Sequence, residues 1–164
     1  ALRVLMYLAL KNEGRATVPA GEGARATIKE ISDCYGISRN HLMKIVQDLG
    51  RAGLVATARG KSGGIALARA PEAIRVGDVV RLTEPDFRLV ECFGPGRGGG
   101  PGGCRLQGCC ILTTALSEAL EAFLEVLDGY TLADLTGPRR TLRRLLDLGA
   151  LPPPGEPRQG VAPV

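Results

Sequence analysis

The chain has 164 residues, 45% of them hydrophobic and 4% aromatic, with no Trp and a formal charge of +4. That length suits one domain with an accessory element, and that composition supports a core of Leu, Ile, Val and Ala and excludes wholesale disorder. No run of about 18 apolar residues occurs, which excludes a membrane-spanning helix.

Residues 1–10 read as a helix with Leu2, Leu5, Leu8 and Ala9 on one stripe. Val4 and the residues up to Leu10 have the apolarity of a short secretory segment. Arg3 before them, Lys11, Asn12 and Glu13 after them, and the lack of a cleavage pattern argue against export. The chain opens at Ala1, without Met, inside this helix, so further natural residues are expected to precede it. A loop over 12–26 carries Gly14, Pro19, Gly21 and Gly23. Thr27 followed three residues later by Glu30 is a capping box, and the helix it starts stops at Gly36. Ser38 is the next N-cap; from Arg39 to about Ala52, Leu42, Ile45, Val46 and Leu49 share one face, and Gly53 ends the helix. Residues 54–58 and 65–68 predict two short strands joined by the long tip RGKSGG at 59–64. An extended piece at 74–76 precedes a short helix from Asp78. Residues 94–103 hold seven Gly and two Pro and are not regular structure. Leu112, Ala115, Leu116, Ala119, Leu120, Phe123, Leu124 and Leu127 mark a long amphipathic helix, with Glu118, Glu121 and Glu125 on its wet side. Thr131 caps a short helix through Leu135. Residues 139–148 form another, whose Arg139, Arg140, Arg143 and Arg144 read as a solvated face. Residues 151–164 hold five Pro and two Gly and read as a disordered tail.

The expected fold is mainly α with a small β-hairpin wing, a winged helix-turn-helix followed by a long helix. Charge supports a nucleic-acid role for the first part. Residues 27–69 hold seven Lys/Arg against three Asp/Glu, and the other 121 residues are neutral. In such a module the second helix enters the major groove and its N-terminal residues reach base edges. Here those are Ser38, Arg39, Asn40 and His41, with Lys44 one turn on. Arg pairs with guanine O6 and N7, Asn with adenine N6 and N7, and Ser38 or the helix N-terminal amides hold a phosphate. At the hairpin tip Arg59 and Lys61 sit among Gly60, Gly63 and Gly64, which lets cations and backbone approach the duplex closely.

Five cysteines in a chain without export signals point to metal or redox use in the cytoplasm rather than a disulfide framework. Eleven residues separate Cys92 from Cys104 and five separate Cys104 from Cys110. Spacing alone leaves an iron–sulfur cluster, zinc, a redox disulfide and simple packing open. Cys34, in the first helix of the pair, reads as a small buried apolar residue. An enzyme is not indicated: the single His sits in the recognition helix, and no nucleophile–base pair, P-loop or dinucleotide fingerprint is present.

Six segments stand together: ALRVL at 1–5, YGISRNHLMK at 35–44, the stretch 55–67 around RGKSGG, IRVGDVV at 74–80, LVEC at 89–92 and YTLADL at 130–135. On these the chain resembles the BadM/Rrf-type iron–sulfur winged-helix transcription regulators, and within them the NsrR-type nitric-oxide-sensing repressors. The resemblance implies a homodimer joined through the long helix and, in each subunit, an iron–sulfur cluster (2Fe–2S or 4Fe–4S) held by three cysteines. Matched position by position these are Cys92, Cys104 and Cys110, with Leu106 and Gly108 fitting the pattern between them, while Cys109 falls where relatives carry a small residue. The first interval is longer than usual because of the Gly-rich insert. Thr113 stands where iron–sulfur-biogenesis regulators have a His, which favours the nitric-oxide sensor. Similar sensors draw a fourth, carboxylate ligand from the extreme N-terminus, and this chain starts just after that point.

The implied division is 1–84 as winged helix-turn-helix domain, 85–110 as cluster-binding loop, 111–136 as dimerisation helix and cap, and 137–164 as a C-terminal extension, largely a disordered tail. The implied function is a repressor of a palindromic operator that nitric oxide inactivates. The competing readings are an iron–sulfur-status or redox-sensing regulator of the same fold, and a zinc-stabilised winged-helix protein-interaction module.

Overall fold

The computed structural model describes residues 1–12, 24–60, 63–84, 86–90, 93, 106 and 109–149. Cys92, Cys104, Lys61, the whole Gly-rich insert and the tail from residue 150 lie outside the described residues. In chain order the elements are α1 (Leu2–Lys11), α2 (Ile28–Tyr35), α3 (Arg39–Arg51), β1 (Val55–Ala58), β2 (Gly64–Leu67), a 3-10 turn (Pro71–Ala73), α4 (Val76–Thr83), α5 (Ile111–Asp128), α6 (Leu132–Leu135) and α7 (Arg139–Leu145).

Local chemistry explains the helix-turn-helix. Glu30 N–H donates to Thr27 Oγ1 at 3.1 Å and Thr27 N–H donates to Glu30 Oε2 at 2.6 Å, so both halves of the capping box form. Gly36 ends α2 in the left-handed region at φ 64°, where a Cβ is disfavoured. Two residues on, Ser38 Oγ accepts from His41 N–H at 3.3 Å and starts α3. The wing is an antiparallel pair with Val55 opposite Leu67 and Ala58 opposite Gly64. Ala26 adds a short third bridge: it exchanges backbone hydrogen bonds with Ile65 at 2.9 and 2.8 Å. The architecture is therefore mainly helical with a hairpin wing, a winged helix-turn-helix plus a long helix, as the sequence predicts.

The core is assembled around α1, whose Val4, Leu5, Tyr7, Leu8, Ala9 and Leu10 are buried on several faces. Ile31 of α2, Leu42 and Leu49 of α3, Ile65 and Leu67 of the wing, Val79 of α4 and Leu132 of α6 close on it.

Three local expectations change. Helix α4 begins at Val76 rather than Asp78. Arg75 is the extended N-cap and bridges Thr131, and burying both Val76 and Val79 requires helical spacing between them. Helix α7 ends at Leu145, short of residue 148. Its arginines are not all solvated: Arg143 is 3% exposed and donates to the Leu10 carbonyl at the end of α1. Among the described residues no helix is long and apolar enough to cross a membrane.

Candidate nucleic-acid interface and cysteine centre

Helix α3 divides cleanly. Leu42, Val46 and Leu49 are buried in the core, while Arg39, Asn40, His41, Met43, Lys44, Gln47 and Arg51 are exposed. At about 100° per residue, Asn40, Lys44, Gln47 and Arg51 fall on the arc opposite the buried stripe, with Met43 at its edge. His41 lies to one side of that arc. Sequence reasoning named only the N-terminal half of this surface. Gln47 and Arg51 follow from the same periodicity once the buried face is known.

Several of these groups have local partners. Ser38 Oγ accepts from His41 N–H, which leaves its hydroxyl proton to donate outward. Arg39 lies 3.9 Å from Asp33 of α2, and Lys29 holds Asp33 at 2.6 Å. The Lys29 hydrogen bond keeps the Asp33 carboxyl below its ordinary range. Arg59 is exposed where the wing leaves β1. A convex helix face carrying Lys44 and Arg51, with Arg39 to its side toward Asp33 and Arg59 exposed on the wing, can meet a polyanionic groove.

The cysteines divide differently. Cys110 is the N-cap of α5 and is half-buried. Hydrogen bonds from the Thr113 hydroxyl, then from the Thr113 backbone N–H, draw the Cys110 thiol below its ordinary value, against the opposing effect of burial. Thr113 thus supports the thiolate that a soft metal or iron–sulfur cluster requires. Cys109 is exposed and donates to the Leu106 carbonyl at 3.4 Å. Cys34 is half-buried near the Leu146 carbonyl, at 3.9 Å, and burial followed by Asp147 raises its thiol. It packs against the core, as a small apolar residue would. Among the described residues no three His, Cys, Asp or Glu side chains gather into a metal site. Cys92 and Cys104 lie outside those residues, and with them the proposed three-sulfur convergence.

Helix α5 carries 18 residues and none is buried. One arc (Leu116, Leu120, Leu124 and Leu127) is partly covered by the body, chiefly by α4. A second arc (Glu118, Glu121 and Glu125) is polar and exposed. The third is apolar and exposed: Ile111, Leu112, Ala115, Ala119, Ala122, Phe123 and Val126. Phe123 is 52% exposed and Val126 61%. An apolar face of this length left in water marks an interaction surface.

The chain is similar to known transcription regulators. The sequence profile of Rrf2, described as an iron-dependent transcriptional regulator, matches residues 1–138. The HTH-type transcriptional regulator NsrR of Bacillus licheniformis is 46% identical over 146 residues, covering 89% of this chain and 93% of that protein. NsrR of Bacillus subtilis is 43% identical over 148 residues, covering 90% and 92%. Among solved structures, oxidised CymR of Staphylococcus aureus superposes with a TM-score of 0.57 at 27% identity, covering 82% of this chain and 87% of that one.

Proposed function

The chain belongs to the Rrf2 family of iron-dependent transcriptional regulators, and from that premise we propose that it is a homodimeric repressor whose grip on an inverted-repeat operator depends on an iron–sulfur cluster and ends when nitric oxide reacts with that cluster. It is a DNA-binding transcriptional regulator and not an enzyme. The observation that carries the finer reading is the make-up of α5. A single rigid helix starts at the Cys110 thiol and presents an apolar arc along its exposed side.

A second copy offers the same arc, so a two-fold contact buries both faces. Ala115, Ala119 and Ala122 allow close approach of the two helices, while Leu112, Phe123 and Val126 supply area. Each large side chain contributes about 1.5–3 kcal/mol if fully buried, offset by the entropy of association.

Cys92, Cys104 and Cys110 would hold the cluster, and the Cys110 donor fits that role. When bound, the cluster supplies thiolate-held iron, the centre with which nitric oxide reacts. While Cys110 is held, the first turn of α5 is held with it. When Cys110 is released, that turn is freed and the seam beginning at Ile111 loses its register. The two α3 helices then no longer match half-sites about 34 Å apart. Switching an operator from nearly full to nearly empty needs roughly 5 kcal/mol of differential affinity.

Within each half-site Arg39 reads guanine, Asn40 reads adenine, and Ser38, His41 and Lys44 hold backbone or flanking bases. Arg59 and Lys61 on the wing meet phosphates or the minor groove. Residues 1–84 then form the reading domain, 85–110 the cluster loop, 111–136 the dimer helix with its cap, and 137–164 a C-terminal extension. A repressor acting on such an operator works in the cytoplasm, which is the location proposed for this chain.

Anaerobically purified protein, analysed for iron and sulfide and titrated with nitric oxide before a DNA-binding measurement, tests this. The expected result is iron with inorganic sulfide and a steep loss of operator affinity. Zinc without sulfide, or affinity unchanged after cluster loss, refutes it.

A further inference from the structure

The two ends of α5 are held very differently. At its start, Ile111 is 83% and Leu112 62% exposed. At its end, Asp128 is gripped by Arg81 of α4: Nη1 donates to Oδ1 and Nη2 to Oδ2, both at 2.6 Å. Arg75 Nη1 donates to the Asp128 carbonyl at 3.0 Å. Backbone bonds extend the seam, from Val76 N–H to Tyr130 O at 2.9 Å and from Leu132 N–H to Ile74 O at 2.8 Å.

Gly77 lies buried beneath this fork. A Cβ at Gly77 would overlap Asp128 Oδ1 and come within 2.9 Å of Arg81 Nη1. Any larger residue at 77 therefore displaces the Asp128 carboxylate and opens the pair. The side chains of Arg81 and Asp128 are 40% and 36% exposed, so the pair adds little to stability. A bidentate fork does constrain orientation, because two parallel bonds fix an angle where one fixes only a distance.

The lever is long. With 18 residues α5 runs about 27 Å at 1.5 Å per residue, so a tilt of about 5° at Asp128 moves the Cys110 end by about 2 Å.

We propose that Gly77, Arg81 and Asp128 form a positioning clamp that sets the angle of α5 on α4 and thereby the spacing of the two α3 helices in the dimer. None of the three touches DNA; they act through the placement of α3. The inference rests on the reading of α5 as the dimer helix.

The test uses the full chain, prepared anaerobically. The wild-type protein first enriches a duplex from a randomised pool. Affinities are then measured for the enriched inverted repeat, for versions with half-sites moved one base pair closer or farther, and for a single half-site. Arg81→Gln and Gly77→Ala are expected to weaken binding to the enriched duplex by roughly 2- to 30-fold, the span usual for residues that couple sites. They are also expected to flatten the preference for native spacing while leaving the single half-site unchanged. Arg81→Lys, which keeps one charged contact, is expected to restore part of the spacing preference. A spacing preference unchanged in both variants refutes the clamp alone, as does an equal loss on the single half-site. If the wild-type chain enriches no inverted repeat, the operator reading and the clamp both fall.

Discussion

Replacing Arg143 by Met tests how the C-terminal helix is built into the body. Arg143 is 3% exposed and donates from Nη1 to the Leu10 carbonyl and from Nη2 to the Leu148 carbonyl, the latter at 2.6 Å. Beside it Arg139 donates to Ala9 O at 2.9 Å and Asn12 O at 2.7 Å. The last carbonyls of α1 have no partner within their own helix, and a guanidinium there also meets the negative end of the helix dipole. Methionine preserves much of the apolar stem and removes both bonds to buried or half-buried carbonyls. Charge-assisted hydrogen bonds contribute about 1.5–3 kcal/mol each, and a stranded buried carbonyl carries a further penalty, so the expected loss is about 3–5 kcal/mol. For a chain of this size that lowers Tm by roughly 10 °C. Arg144→Met, on the exposed side of the same helix, is expected to change stability by less than about 0.5 kcal/mol. Urea and thermal unfolding followed by circular dichroism measure both. If the two variants agree within about 1 kcal/mol, Arg143 is not the anchor described.

Three further outcomes follow from the same geometry. Phe123→Glu places a charge in the exposed apolar arc of α5, and sedimentation is expected to show a dimer for the parent chain and a monomer for the variant; a variant that still dimerises places the interface elsewhere. Lys44→Ala is expected to weaken binding to all duplexes and lower the log–log salt slope by about 0.9, whereas Asn40→Ala is expected to relax selection at one base pair by about 1–3 kcal/mol. Equal salt slopes for parent and Lys44→Ala would remove Lys44 from the phosphate contacts. Burial alone would raise the Glu30 carboxyl, but hydrogen bonds from Lys11 and from Thr27 outweigh it and hold it below its ordinary range. Stability from this group is therefore complete above the unfolded Glu value, about 4.3, and is lost as pH falls through the lowered folded value. Tm measured downward from about pH 6 is expected to fall less steeply for Glu30→Gln, and parallel curves would refute the assignment.

The helix-turn-helix was legible in the sequence because each of its signals acts within a few residues. The Thr27 box, the Gly36 stop and the Ser38 cap each close between neighbours, and the structure bears all three out. The exposed face of α3 was legible only in part. The cap located the start of α3, and the stripe of Leu42, Val46 and Leu49 already implied Gln47 and Arg51 on the opposite arc, although base contacts were expected only from the N-terminal residues. Of the cysteines, the position of Cys110 at the head of α5 could be read from the periodicity that begins beside it. The influence of Thr113 on its thiol needed atomic placement, because composition does not say which neighbour a thiol meets.

What the sequence determined by itself is the set of local elements, the excess of basic residues over 27–69 and the resemblance that named a family. Two matters were settled only when the chain closed on itself. Helix α5 is apolar around most of its circumference, so periodicity could not say which arc the body would cover; packing against α4 chose Leu116, Leu120, Leu124 and Leu127 and left the Phe123 side outward. Four arginines near the C-terminus looked alike in a local window. Only contact with the end of α1, 133 residues away in sequence for the Arg143 bond to Leu10, buried Arg143 and half-buried Arg139. Short-range rules register caps and stripes, whereas the burial of a charge depends on an acceptor that the chain supplies from far away.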